Sequence, residues 1–283
     1  MHTRFGAILP FCAVGLLVVP AACSAGAPQT ARKQPLSHIA YLMDRSDSIE
    51  RGDGAACAAV RGGVLAALTE LDPFGKGQAL EGVSATVYQN ERVTVQLWGT
   101  ADASLRGSTK LLGEGTLEPP SGGMEDFVRI VKMREIRAAK VASELEAKCR
   151  ADAKPQKLSP IYSAVVELVG SLRNSCAANR ECLLIIQSDL VETEEPGLAR
   201  AVAGIRKGQL KVEKATGLPA PIDLGGTISV FVCGYGASTD VTNATQRQEI
   251  LRLWKDKVFS GAKRFVQQAS CPTPPSAAAA PSR

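Results

Sequence analysis

Short apolar runs alternate with stretches of helical periodicity along most of the chain. Short segments that contain dense apolar runs predict strands buried on both faces, at 38–43, 181–188 and 227–233. Two further segments predict strands with more exposed residues, at 92–98 and 109–117. Apolar residues at helical spacing predict helices, at 54–71, 125–150, 160–173, 197–207 and 244–268. This order predicts an α/β fold with a doubly wound, mostly parallel sheet and helices on both faces.

The two ends of the chain do not follow this pattern. A basic start followed by an apolar run over 1–22 predicts a secretory signal peptide, with an uncleaved membrane anchor as the alternative. Residues 23–36 are small and polar and predict a tether, and the Pro/Ala-rich segment 271–283 predicts a disordered tail. The predicted folded domain therefore spans 37–270.

The end of the apolar run carries a possible lipidation signal. Val19-Pro20-Ala21-Ala22-Cys23 resembles the lipobox of bacterial lipoproteins, in which the cysteine is diacylated and becomes the new N-terminus. The resemblance implies a lipid anchor at Cys23 in the membrane, with plain cleavage as the alternative. We expect an exported protein that is periplasmic or anchored to the cell envelope, with the outer membrane favoured.

Composition narrows the class of partner and the compartment. The net charge is +5, but Lys and Arg alternate with Asp and Glu, which argues against nucleic acid as a partner. Six cysteines lie beyond Cys23, and an even number in an exported chain predicts disulfides. Cys176 and Cys182 flank a short polar loop and are the predicted local pair; the remaining connectivity is open among the 15 pairings that six cysteines allow.

Polar residues follow two of the buried strands and open one of the helices. Asp44 ends the first strand and starts the sequence Asp-Arg-Ser-Asp-Ser, Asp189 ends a later strand, and Ser159 precedes a helix. The carboxyl ends of parallel strands meet at one edge of a sheet, where ligands bind. Two carboxylates and the hydroxyls of Ser46, Ser48 and Ser159 are the oxygen ligands that Mg²⁺ prefers, and they leave one coordination position open.

Three segments resemble the metal-ion-dependent adhesion site of von Willebrand factor A domains. Asp44-x-Ser46-x-Ser48 matches the motif D-x-S-x-S, Ser159-Pro-Ile-Tyr-Ser-Ala resembles T-P-L-Y-x-A, and Ser188-Asp189 resembles a later S-D or T-D pair. The resemblance implies a von Willebrand factor A-like, Rossmann-like fold. It also implies direct metal binding by Ser46 and Ser48, with Ser159 in the place of threonine. Asp44 and Asp189 would bind directly or through water.

The resemblance also implies which cation and which partner would bind, and the sequence departs from the family's pattern at one position. The cation would be Mg²⁺, or another divalent cation such as Mn²⁺ or Ca²⁺, and the partner would be a protein that presents an acidic residue. Leu190 stands where a glycine often follows the second aspartate of the family.

Several alternatives remain open at the level of sequence. The Asp44 segment fits a turn whose side chains bond to their own backbone, Ser159 fits a plain helix cap, and Asp189 fits a structural cap. The favoured function is a protein-binding module rather than an enzyme. The alternatives are a metal-assisted hydrolase, for which His38 before the first strand is a poor acid or base, and a scaffold with a degenerate metal site.

Overall fold

The first buried run forms a central strand, β1 (Leu36–Met43), in the computed structural model of the protein. The structure describes residues 36–46, 55–68, 92–101, 107–119, 127–152, 156–176, 180–238 and 241–272. The predicted signal peptide, Cys23, the tether up to residue 35 and residues 273–283 of the predicted tail lie outside these ranges. None of the helices in the described part of the chain combines the length and apolar character that a membrane crossing requires.

Among the residues that the structure describes, six strands, with β1 among them, form one sheet. The other five are β2 (Val93–Thr100), β3 (Thr109–Leu117), β4 (Glu181–Gln187), β6 (Ile228–Cys233) and β8 (Arg264–Gln268). Their order is β3-β2-β1-β4-β6-β8, and every neighbouring pair is parallel except β2 with β3. Two short strands, β5 (Ile222–Asp223) and β7 (Phe259–Ser260), pair separately. The mostly parallel sheet confirms the predicted α/β class.

The order of the strands defines where a ligand site can form. The chain passes from β1 to β2 on one side and later returns to β4 on the other side of β1. In an open α/β sheet, a crevice forms at the carboxyl ends of the two strands where the winding direction reverses. Here that point lies between β1 and β4, which end directly before Asp44 and Ser188.

In the described ranges, five α-helices cover both faces of the sheet, as the sequence predicts. They are α1 (Ala55–Leu68), α2 (Phe127–Ala151), α3 (Ile161–Ser175), α4 (Pro196–Arg206) and α5 (Ala244–Leu253). Successive side chains of a strand point to opposite faces. Accordingly, Ala40 and Leu42 of β1 pack in the cluster with α3, α4 and α5, and Ile39, Tyr41 and Met43 pack in the cluster with α1 and α2.

The predicted C-terminal helix over 244–268 is wrong in its second half. Helix α5 ends at Leu253, a π-helical turn continues to Val258, and β7 and β8 follow. Gly261, whose φ of 62° favours glycine, lies in the bend between these strands. In β8, Phe265 packs on one face of the sheet and Val266 on the other, which is the alternation of a strand.

Ionic contacts hold this C-terminal strand to the sheet. Glu181, at the start of β4, is buried and pairs with Lys263 at 2.9 Å and with Arg264 at 2.7 Å. These contacts join residues that are far apart in sequence, so they carry no local signal in the sequence. The edge strand is therefore specified by tertiary packing rather than by propensity.

Three disulfides connect the described elements. Cys57–Cys149 joins α1 to α2, Cys176–Cys182 joins the end of α3 to β4, and Cys233–Cys271 joins the end of β6 to the segment after β8. The local pair that the sequence predicts is one of the three. The first of the predicted tail residues, Cys271, is therefore covalently attached to the sheet.

Candidate metal site at the carboxyl edge of the sheet

Three segments of the chain meet at the carboxylate of Asp44. The side chain is buried, and its Oδ2 atom accepts hydrogen bonds from Ser159 Oγ and from Ser188 Oγ, both at 2.8 Å. Its Oδ1 atom accepts the N–H of Ser46 at 3.0 Å. The Oδ1 atom thus makes the local turn contact that the sequence allows as an alternative. The Oδ2 atom instead accepts hydroxyls from two segments that are distant in sequence.

Ser159 does not act as the cap of helix α3. The helix begins at Ile161, and its N-cap residue is Pro160, which makes no side-chain capping bond. The hydroxyl of Ser159 instead donates to Asp44, and its backbone N–H donates to Thr193 Oγ1 at 2.7 Å. The residue is placed by the loop after β4 as well as by the start of α3.

Asp189 lies next to this cluster in the loop after β4. It is buried, its Oδ1 atom accepts the N–H of Val191 at 3.0 Å, and its Oδ2 atom accepts Ser238 Oγ at 2.6 Å. Ser238 belongs to the segment that follows β6, so a third strand end contributes to the same edge. The Oδ1 atom of Asp189 therefore caps its own loop, which is the structural role that the sequence allows as an alternative. The Oδ2 atom accepts a hydrogen bond from a hydroxyl.

The two carboxylates concentrate negative charge in a buried position. Burial raises the pKa of Asp44, the charge of Asp189 raises it further, and the hydrogen bonds from Ser188, Ser159 and the Ser46 N–H oppose these effects. The resulting pKa is about 6. No Lys or Arg in the described ranges forms an ion pair with either aspartate. A cation at this edge would supply the missing positive charge.

Leu190 has a backbone conformation that favours glycine. Its φ is 62°, the left-handed region that favours glycine, and its side chain is fully buried. Its N–H donates to Ser188 Oγ at 2.8 Å, and its carbonyl oxygen accepts the indole N–H of Trp254 at 3.0 Å. Leu190 therefore combines a glycine-like backbone conformation with a buried side chain in the loop that carries Asp189.

A buried glutamate organises the rest of this loop. Glu192 Oε1 accepts the backbone N–H groups of residues 193–195, and Oε2 accepts the N–H of Tyr162 at 2.6 Å. Burial raises the pKa of Glu192, while these four backbone hydrogen bonds oppose the shift. The loop after β4 is thereby fixed to the first turn of α3, which sets Asp189 and Ser159 relative to each other.

The segment after Asp44 is described only in part. Ser46 is buried and forms an isolated parallel bridge with Gln156, whose N–H donates to the carbonyl oxygen of Arg45 at 2.7 Å. Ser48 lies outside the described residues. The structure thus places Asp44, Ser46, Ser159 and Asp189 at one edge of the sheet and leaves the contribution of Ser48 as a prediction.

The side chains at this edge fit a hard cation. In the described ranges, no three His, Cys, Asp or Glu side chains lie together in a group that could hold a metal. A cation here would therefore need hydroxyl oxygens beside the two carboxylates. A serine hydroxyl that donates its hydrogen to Asp44 keeps lone pairs that can face a metal. Carboxylate and hydroxyl oxygens are ligands for Mg²⁺, Mn²⁺ or Ca²⁺ rather than for softer metals.

Two serines of the cluster were not predicted as site residues. The sequence motif includes Ser188 only as the first residue of the Ser-Asp pair, and it does not include Ser238. For Ser188 the signal is its position at the end of a fully buried strand. The position of Ser238, beyond the end of β6, gives a weaker signal, because its contact with Asp189 depends on the path of the intervening turn.

Comparisons with known proteins are limited to distant similarities of structure. No family model matches the chain, and no curated protein matches it. The manganese-loaded TRAP protein of Plasmodium vivax is 11% identical with a TM-score of 0.38, and the match covers 84% of this chain and 69% of that one. The pilus adhesin SpaC of Lactobacillus rhamnosus GG is 12% identical with a TM-score of 0.42, and the shares are 85% and 29%. The VWA domain of SpRpn10 is 11% identical with a TM-score of 0.33, and the shares are 85% and 90%.

Proposed function

We propose that the protein is a metal-dependent protein-binding module rather than an enzyme. A divalent cation of the Mg²⁺ type, with Mn²⁺ or Ca²⁺ as other members of the class, is held by Asp44, Ser46, Ser48, Ser159 and Asp189. A bound cation supplies an electrophilic position for a carboxylate. The partner is therefore a protein that presents an acidic residue at the open coordination position.

The observation that carries the proposal is the pair of hydroxyls on one oxygen of Asp44. Ser159 and Ser188 come from separate segments, and both donate to the same buried carboxylate oxygen. Burying a carboxylate without a positive partner costs several kcal/mol. The arrangement is explained if the carboxylates and hydroxyls are ordered in advance for a cation.

Residues of the chain have distinct tasks in this scheme. Asp44 and Asp189 provide the negative charge, and the hydroxyl of Ser159 is oriented by its bond to Asp44. Ser188 and Ser238 each donate to one carboxylate and so fix its rotamer. Glu192 fixes the loop after β4 to the first turn of α3.

The position of His38 favours binding over hydrolysis. It lies near the start of β1, six residues before Asp44, and its Nδ1 atom is 3.2 Å from Ser37 Oγ. At about 3.3 Å per residue in a strand, six residues place it roughly 20 Å from the carboxyl edge. An acid or base for a hydrolytic reaction at Asp44 would have to come from another group.

We further propose that the protein acts outside the cytoplasm, at the bacterial cell envelope. Three disulfides in a chain of this size are typical of oxidising compartments. The signal peptide and the lipid anchor at Cys23, which would attach the protein to the membrane, belong to this proposal as expectations from the sequence.

The first test is direct binding of the metal. Titration of the full chain with Mg²⁺ and Mn²⁺ in a calorimeter should show one site, and the melting temperature should rise relative to a chelator. Asp44→Ala should abolish both effects. Asp256→Asn, which changes a half-exposed aspartate on the π-helical turn, is the matched control and should retain them. Equal melting temperatures of the unchanged chain in metal and in chelator would contradict the proposal.

The second test concerns the partner. A library of displayed peptides can be bound to the protein in Mg²⁺ and eluted with chelator. Selected peptides should share an Asp or Glu whose replacement by the amide abolishes binding, because only a carboxylate neutralises and ligates the cation. Retention that is unaffected by chelator, or by Asp44→Ala, would show that binding does not use this site.

A further inference from the structure

One oxygen near the candidate site has no hydrogen-bond partner. The Oε1 atom of Gln156 is buried, and no group in the described part of the chain donates to it. Buried polar atoms are nearly always hydrogen-bonded, so an exception calls for a physical explanation. Gln156 lies three residues before Ser159, in the same segment that delivers the Ser159 hydroxyl to Asp44.

The backbone places Gln156 beside the metal-binding motif. Gln156 forms a parallel bridge with Ser46, and its N–H donates to the carbonyl oxygen of Arg45. Paired residues of neighbouring parallel strands lie about 4.8 Å apart and project their side chains to the same side. The side chains of Gln156 and Ser46 therefore leave the backbone on the same side, next to the segment that carries Asp44.

The amide oxygen of Gln156 is a suitable ligand for a cation. A buried carbonyl oxygen without a donor has lost its hydration and gained nothing in return, which destabilises the fold. Amide oxygens are regular ligands of Ca²⁺, which takes six to eight oxygens in a flexible geometry. Mg²⁺ keeps several of its waters and uses fewer protein ligands.

We propose that Gln156 supplies a neutral amide oxygen to the cation and shifts the preference of the site toward Ca²⁺ over Mg²⁺. The inference rests on the proposed metal site, to which it adds a ligand and a selectivity. The added oxygen raises the number of protein ligands without adding charge. The oxygen of Gln156 therefore contributes more to the affinity for Ca²⁺, which accepts more protein oxygens than Mg²⁺ does.

The test compares Gln156→Met with the unchanged chain. Methionine has a similar length and no amide, so in chelator its melting temperature should be higher than that of the unchanged protein. Titration of the full chain with CaCl₂ should show a loss of affinity of roughly tenfold, with a smaller loss for MgCl₂. Replacing a residue that only supports the fold would not be expected to raise the melting temperature and lower the Ca²⁺ affinity at the same time.

Two controls separate the possible outcomes. Gln156→Glu keeps an oxygen and should retain or raise the Ca²⁺ affinity, and Gln248→Met, at an exposed position of α5, should leave stability and affinity unchanged. Equal Ca²⁺ affinities of Gln156→Met and the unchanged chain would overturn the role of Gln156 and leave the proposed function intact. An unchanged chain that binds neither cation would overturn both.

Discussion

At the scale of single residues, the carboxylate of Asp44 couples stability to pH. Its pKa is raised to about 6 by burial and by the charge of Asp189, against 3.8 in an exposed aspartate. Between these values the folded state holds a proton that the unfolded state has released. Stability therefore falls as the pH rises through this window, and the charged form opposes folding at neutral pH.

We accordingly predict that Asp44→Asn stabilises the protein in the absence of metal. The amide keeps an acceptor oxygen and carries no charge, and a shift of this size corresponds to about 3 kcal/mol at neutral pH. Urea unfolding in chelator should give a higher free energy of unfolding for the variant than for the unchanged chain at pH 7.5. This difference in free energy should shrink toward pH 4. A difference that does not vary with pH would contradict the assignment to ionisation.

The same charge affects cation binding in the opposite sense. A cation binds the ionised form, so its affinity should fall as the pH drops below about 6, where Asp44 takes up a proton. Calorimetric titrations with MnCl₂ at pH 5 and pH 7.5 measure this directly. Equal affinities at the two pH values would show that Asp44 does not ligate the metal.

Leu190 combines a strained backbone with a buried side chain, and the two can be separated by substitution. Leu190→Ala removes the packing but keeps a Cβ in the left-handed region, and it should destabilise the protein by about 2–5 kcal/mol. Leu190→Gly removes the packing and relieves the strain. It should be more stable than the alanine variant by up to about 1 kcal/mol, although glycine usually destabilises relative to alanine.

Denaturant unfolding of the two variants decides the point. If alanine were the better replacement at this position, the left-handed conformation would contribute no strain. The comparison also bears on the site, because the N–H of Leu190 bonds to Ser188, which in turn donates to Asp44.

At the scale of elements, the segment after α5 shows what the sequence does and does not predict. The buried strands β1, β4 and β6 were predicted because each contains a short, mostly apolar run, which is typical of a strand covered on both faces. In β8 the apolar residues Phe265 and Val266 are adjacent, which fits a helix as well as a strand. Pairing with β6 and the contacts to Glu181 decide between them.

Replacement by alanine should change the stability of the protein in opposite directions at Gly261 and at Gly170. Gly261→Ala should destabilise the protein by about 1 kcal/mol or more, because φ is 62° and the new Cβ would lie 3.0 Å from Asp223 Oδ1. Gly170→Ala should stabilise it by about 0.5–1 kcal/mol, because Gly170 is exposed within α3 and its Cβ would meet nothing within 4 Å. Melting temperatures of the two variants provide the comparison, and a shift of the same sign in both would contradict it.

At the scale of the whole molecule, the sheet order explains why the site was partly predictable. Asp44 and Asp189 were placed together because parallel strands end at one edge, and this argument needs no knowledge of loops. The contacts of Ser188 and Ser238, and the left-handed Leu190, depend on how the loops after β4 and β6 turn. Those paths are set by tertiary contacts such as that of Glu192 with Tyr162, which local patterns do not encode.

A disulfide that closes a longer loop should stabilise the whole fold more, although the effect grows only with the logarithm of the loop length. Cys57–Cys149 spans 92 residues and Cys176–Cys182 spans 6. In the chain-entropy description, these separations correspond to about 4.5 and about 2 kcal/mol. Replacing the first pair by alanine should therefore lower the free energy of unfolding more than replacing the second. Equal losses in urea unfolding would show that local packing, rather than chain entropy, determines their effect.

The contact between Trp254 and Leu190 gives the protein an internal optical probe. The chain has two tryptophans, and Trp254 is fully buried with its indole N–H bonded to the carbonyl oxygen of Leu190, the residue after Asp189. Any rearrangement of that peptide when a ligand binds changes the surroundings of the indole. A Trp98→Phe protein would thus report the state of the loop by its fluorescence, without a label.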